Sequence, residues 1–70
     1  MNTFEQYRDA VVSEFVRYGF TGSPFYDNEL TICYHHNLSV DCVYAIGCDL
    51  ACNDDLTFGE ALEINAGVKL

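Results

Sequence analysis

The chain has 70 residues, half of them hydrophobic and 14% aromatic, and its formal net charge at pH 7 is −8. That length predicts one domain spanning residues 1–70, with a core worth only about 3–5 kcal/mol of net stability, and the apolar content excludes a disordered acidic tail. The charge keeps the chain from binding nucleic acid or an anionic membrane directly, and no apolar run reaches the roughly 18–20 residues of a membrane span.

The first element is the clearest. Phe4, Tyr7, Val11, Phe15 and Tyr18 recur at helical spacing on one face, with Glu5, Asp9, Ser13 and Arg17 opposite. Thr3-x-x-Gln6 reads as a capping box, and Gly19 as the glycine that ends the helix in the left-handed region. The pattern predicts a helix over 4–18.

Residues 24–36 admit two readings. Ser23 before Pro24 has the form of an N-cap followed by proline at the first helical position, with Asp27 near the positive end of the dipole. That favours a helix over 24–36. Against it, Leu30, Ile32 and Tyr34 alternate as in a strand, so a short strand near 29–35, in an α+β fold, stays as the alternative. On a helix, Glu29 would project among Phe25, Ile32 and Cys33, and would need either an edge position or a partner such as His36.

Ser39 then caps a helix over 40–52, with Asp41 in its first turn and Val43, Ile46 and Leu50 on one side. Gly47 in mid-helix costs about 1 kcal/mol against alanine, which suggests a close approach by another helix. Asn53-Asp54-Asp55 forms a turn. Thr57-x-x-Glu60 is a second capping box, opening a helix over 58–65 that turns Phe58, Ala61 and Leu62 inward and ends at Ala66-Gly67. The expectation is all-α: a compact bundle of three to four short helices.

Several constellations bear on chemistry. Cys33-x-x-His36 and Cys48-x-x-x-Cys52 offer two pairs of zinc-ligating types, but both pairs would sit within helices and lack a Gly- or Pro-rich knuckle. The alternative is four ordinary thiols, reduced because Met1-Asn2-Thr3-Phe4-Glu5 has no signal-peptide character. Cys42 lies near a helix start, which lowers a thiol pKa, but its surroundings are strongly negative, which raises it. His35 and His36 read as ordinary histidines near a helix end. Glu60 and Glu63 share a face without the apolar pocket that general acid catalysis needs. Asn53, Asp55 and Thr57 alternate as in a calcium loop, but the loop glycine and the final glutamate are missing. No enzyme, no cofactor and no metal is expected.

What stands out is charge. From Tyr18 to Val68 the chain has no lysine and no arginine but eight carboxylates: Asp27, Glu29, Asp41, Asp49, Asp54, Asp55, Glu60 and Glu63. Asp27 has a local role at a helix start. Asp41, Asp49, Asp54, Asp55, Glu60 and Glu63 form a candidate binding face at spacings that can approach the phosphate density of DNA, about one charge per 3.4 Å per strand. Tyr26, Tyr34 and Tyr44 are candidate aromatic anchors, since aromatics are enriched at binding hot spots.

Small size, acidity, compactness and abundant aromatics together resemble phage-encoded inhibitors of host nucleic-acid machinery, including anti-CRISPR proteins, a likeness of type carried by no shared motif. That resemblance implies a non-enzymatic, stoichiometric inhibitor in the cytoplasm of a bacterial host. Its partner would be a basic nucleic-acid-binding protein such as a CRISPR effector subunit. Two other classes compete. One is a small acidic domain that is oligomeric or partner-dependent and whose charge serves solubility. The other is suggested by Asn37-Leu38-Ser39-Val40-Asp41, which resembles the serine site of acyl carrier proteins, acidic four-helix bundles of this length. Here Leu38 and Val40 replace the aspartate and leucine of their Asp-Ser-Leu motif, which favours Ser39 as a plain cap.

Overall fold

A computed structural model describes residues 3–70. It contains four helices: α1 (Phe4–Arg17), α2 (Asp27–His35), α3 (Val40–Cys52) and α4 (Phe58–Ala66). No strand occurs among the described residues, so the α+β alternative falls. α3 packs against both α1 and α4, and α1 against both α2 and α3, so the α1–α3 pair is the centre of the bundle.

Each helix start is set by a short polar side chain or a returning glutamate. Thr3 Oγ1 accepts from the Gln6 N–H (3.2 Å), Ser39 Oγ from the Cys42 N–H (3.1 Å), and Thr57 Oγ1 from the Glu60 N–H (3.2 Å). The ends of α1, α2 and α4 are set by left-handed residues, whereas α3 ends on Asn53 in an extended conformation. At α1, Gly19 takes φ 95°, its N–H donates to the carbonyl of Val16, and the Phe20 N–H reaches back to that of Phe15. This is a Schellman motif, closed by the edge-on contact of Phe20 with Phe15 at 5.4 Å. The same motif ends α2 on Asn37 (φ 55°), the Leu38 N–H donating to the carbonyl of Cys33. Asparagine tolerates this region where most residues do not.

The start of α2 departs from expectation. The helix opens at Asp27 with Tyr26 as its cap residue, not at Pro24 behind Ser23. Ser23 Oγ accepts from the N–H of Phe25 and holds a turn instead (3.1 Å). Glu29 then supplies the cap: its carboxylate turns back to the N–H of Tyr26 at 2.9 Å, so its partner is its own helix terminus and not His36. The later start leaves Phe25 off the helix and free to insert between Phe15 (6.0 Å) and Phe58 (5.8 Å). Helix wins over strand because Leu30 and Cys33, three apart, are both buried, while β-branched Thr31 donates its hydroxyl to the Asp27 carbonyl (2.7 Å).

The core consists of Tyr7, Val11 and Phe15 from α1, Leu30 and Cys33 from α2, Val43 and Ile46 from α3, and Ala61 and Leu62 from α4. Leu50 and Phe58 are half-buried at its edge. Tyr18, expected inward, lies beyond the last turn of α1 and is 58% exposed. Gly47 is the close approach its sequence position suggested. A methyl group there would collide with Cζ of Phe15 and lie 2.8 Å from Phe15 Cε1 and 3.2 Å from Phe25 Cε2.

Candidate functional site

The six candidate carboxylates divide by what already holds them. Asp49 Oδ2 accepts from Asn65 Nδ2 at 2.7 Å, and the same amide donates to the carbonyl of Ala61 (2.9 Å), which ties α3 to α4. Glu60 closes the cap of α4, its Oε1 accepting from the N–H (3.2 Å) and hydroxyl (3.0 Å) of Thr57. Glu63 pairs with Lys69 at 3.6 Å. Asp41, Asp54 and Asp55 are exposed. The turn that displays the last two is braced by Asn53, whose Oδ1 accepts from the Asp55 N–H (3.1 Å). Fold maintenance thus occupies Asp49 and Glu60, Asp41 sits in the first turn of α3 where the helix dipole favours it, and Asp54 and Asp55 remain as the part of the face with no structural task.

The chain's three cations are all engaged: Arg8 with Asp27 (3.5 Å), Arg17 with Glu14 (3.6 Å) and Lys69 with Glu63. Of eleven carboxylates, eight therefore have no lysine or arginine partner. These exposed pairs are each worth about 0–1 kcal/mol, so they trim the field without ordering it.

The three tyrosines also separate. Tyr26 is 76% exposed. Tyr34 and Tyr44, expected as exposed anchors, are half-buried. Tyr34 leans on Phe4 (5.8 Å) and Tyr7 (5.4 Å). Tyr44 sits at the centre of an aromatic group, 4.9 Å from Phe15, 4.9 Å from Tyr18 and 6.5 Å from Phe20. A hydrogen bond with the Cys48 thiol and then desolvation push the Tyr44 phenol up to about 12. Sequence periodicity missed Tyr18 and Phe20 as surface residues. The available signal was Gly19, because side chains flanking a helix terminator leave the helical face.

The thiols do not assemble a centre. Cys33 is buried in the core, and burial pushes its pKa up to about 11, so it is a poor nucleophile. Cys42 Sγ donates to the carbonyl of Asn65 (3.8 Å). All four cysteines are free, and among the described residues no three His, Cys, Asp or Glu side chains converge as metal ligands. The zinc alternative through Cys33, His36, Cys48 and Cys52 is not assembled.

An open cavity of about 330 Å³ lies between the start of α1, the end of α2 and the start of α3, lined by Tyr7, Tyr34, Asn37, Leu38, Ser39 and Val40. Tyr7 closes its floor by donating its hydroxyl to the Leu38 carbonyl (2.9 Å), and burial raises its pKa. Ser39 at the rim is engaged as the α3 cap.

No helix among the described residues is long and apolar enough to cross a membrane. Comparison with family models, with curated proteins and with solved structures returns no match.

Proposed function

We propose that the chain is a non-enzymatic inhibitor that binds a basic nucleic-acid-binding site of a partner protein through its acidic face. The partner is the DNA-recognising part of a CRISPR effector complex, so the chain acts as an anti-CRISPR protein in the bacterial cytoplasm. One observation carries this reading: the stretch from Tyr18 to Val68 contains no lysine or arginine, and six of its eight carboxylates (Glu29, Asp41, Asp49, Asp54, Asp55 and Glu60) have no Lys or Arg partner. Asp54 and Asp55 are adjacent and exposed, so one turn displays two unpaired charges to solvent. A surface of this kind associates fast by electrostatic steering and loses affinity as salt rises.

The test has two parts. In bacteria immune to a phage through a defined CRISPR system, expression of the chain should restore plaquing, and Asp54→Lys with Asp55→Lys should abolish the effect. In solution, the chain should displace target DNA from the effector complex, less well at 200 mM than at 50 mM salt. Unchanged immunity across CRISPR types, or inhibition indifferent to the charge reversals, overturns the proposal. Glu60 is left out of the reversal set because its loss would also unpin α4.

The exposed side chains of Ile64 and Leu70 (69% and 71%) favour a second reading, an oligomeric or partner-dependent domain whose acidity serves solubility. Light scattering tests its oligomeric form: a dimer that dissociates on Ile64→Ser supports it, and a monomer removes it.

A further inference from the structure

The chain's two arginines are held in the same way. Arg17 lies over the ring of Tyr18 at 5.7 Å from its centroid, with Glu14 Oε1 at 3.6 Å. Arg8 lies over the ring of Phe4, also at 5.7 Å, with Asp27 Oδ2 at 3.5 Å. In both places the guanidinium carbon lies over an aromatic ring and one of its nitrogens is within reach of a carboxylate. This arrangement suits arginine, whose planar, weakly hydrated group stacks on rings and forks onto carboxylates. The compact, strongly hydrated ammonium of lysine gains less from it.

The seat at Arg17 differs from the one at Arg8 in what continues from it. Tyr18 stacks at 35° against Tyr44, and Phe20 meets Tyr44 edge-on. Phe15 underlies Tyr44 from the core and fixes its position. The result is an aromatic ledge with a rigid base, and its outer members Tyr18 and Phe20 are exposed. Asp41 precedes Tyr44 by one turn of α3, about 4.5 Å along the axis. The arginine now on the ledge is loosely bound, its side chain 74% exposed. No other lysine or arginine occurs until Lys69, at the far end of the sequence.

We infer that the Tyr18–Tyr44–Phe20 ledge, with Glu14 beside it, is a seat for an arginine side chain of the partner, which displaces Arg17 on binding. Charge complementarity selects this occupant. A net charge of −8 attracts a basic surface, and sites that bind DNA phosphates and bases are built largely from arginine and lysine. The carboxylates supply attraction to either cation, and the ledge selects arginine. This inference rests on the reading above and adds a residue-level specificity to it.

The experiment titrates hexa-arginine and hexa-lysine peptides into the full chain at low salt. Affinity is read by calorimetry and location by the tyrosine ring resonances. Hexa-arginine should bind about two- to five-fold more tightly, the ratio expected of an exposed cation–ring contact, and should shift the Tyr18 and Tyr44 rings. Tyr18→Ala, an exposed position, should remove the preference, and Glu14→Gln should weaken both peptides while the preference remains, with circular dichroism unchanged in each. Arg17→Ala should raise hexa-arginine affinity by a larger factor than hexa-lysine affinity, since charge alone would raise both equally. Equal affinities in the native chain, or a preference that survives Tyr18→Ala, overturn the arginine seat and leave the acidic-face reading standing. Binding of neither peptide overturns both.

Discussion

At Gly47 one added methyl group would run into Phe15 and Phe25, whereas further along the same chain the carboxylates of Asp54 and Asp55 stand in open solvent. The two regions are separated by half of one helix and a turn. One is an aromatic junction in which Phe15, Phe20, Phe25, Tyr44 and Phe58 touch ring to ring, so that each position fixes its neighbours. The other is a corner held by its backbone and by Asn53, with side chains that contribute nothing to the fold. A small acidic protein needs both. Self-repulsion destabilises its compact state, and the aromatic junction concentrates much of the burial that opposes this.

The comparison breaks or sharpens under substitution. Phe15→Ala should have the largest effect. Removing a fully buried phenylalanine costs about 3–5 kcal/mol, comparable to the whole net stability expected at this size, so the far-ultraviolet helical signal should be lost at 25 °C. Retention of a cooperative melt would show that the junction is not the keystone. Gly47→Ala comes next. It gains about 1 kcal/mol in helix propensity and meets an overpacking cost of about 1–3 kcal/mol. Because the clash is with a rigid ring backed by the core, the cost should prevail and the melting temperature should fall. A rise would mean that Phe15 can move aside.

Within the acidic set the expected effects are smaller and unequal. Thr57→Ala removes the hydroxyl that caps α4, and Asn65→Ala removes the amide that joins Asp49 to the carbonyl of Ala61. Each should cost about 1 kcal/mol in chemical denaturation. The smallest effect on folding belongs to Asp54→Asn with Asp55→Asn, expected within about 0.5 kcal/mol of the native chain, even though these two should matter most for binding. Should they prove as costly as Thr57→Ala, the division between structural and free carboxylates would collapse.

The helices were legible because their signals are local. Thr3, Ser39 and Thr57 act as caps through oxygen atoms that reach a backbone only three residues on, and Gly19 ends α1 through its own dihedral freedom. The start of α2 was less legible, since two local signals competed. Ser23-Pro24 and Tyr26 with Glu29 are both plausible openings, and the burial of Phe25 against Phe15 and Phe58 favours the later one. The candidate surface was legible as charge but not as roles. Sequence spacing treated Asp49, Glu60, Asp54 and Asp55 alike. Asp49 is committed by Asn65, sixteen residues away, and Glu60 by a cap that also reads as an available charge.

The sequence by itself determined an all-α chain with a charge-segregated composition, because helix periodicity, capping and net charge depend on residue type and short-range spacing alone. Only the tertiary structure decided which carboxylates remain without a task, which tyrosines face solvent, and that Tyr18, Phe20 and Tyr44 share one ledge beside Glu14. The tie on Asp49 arises between α3 and α4 and the ledge between α1 and α3, where Gly47 allows a close approach; both are contacts between segments that no local pattern specifies.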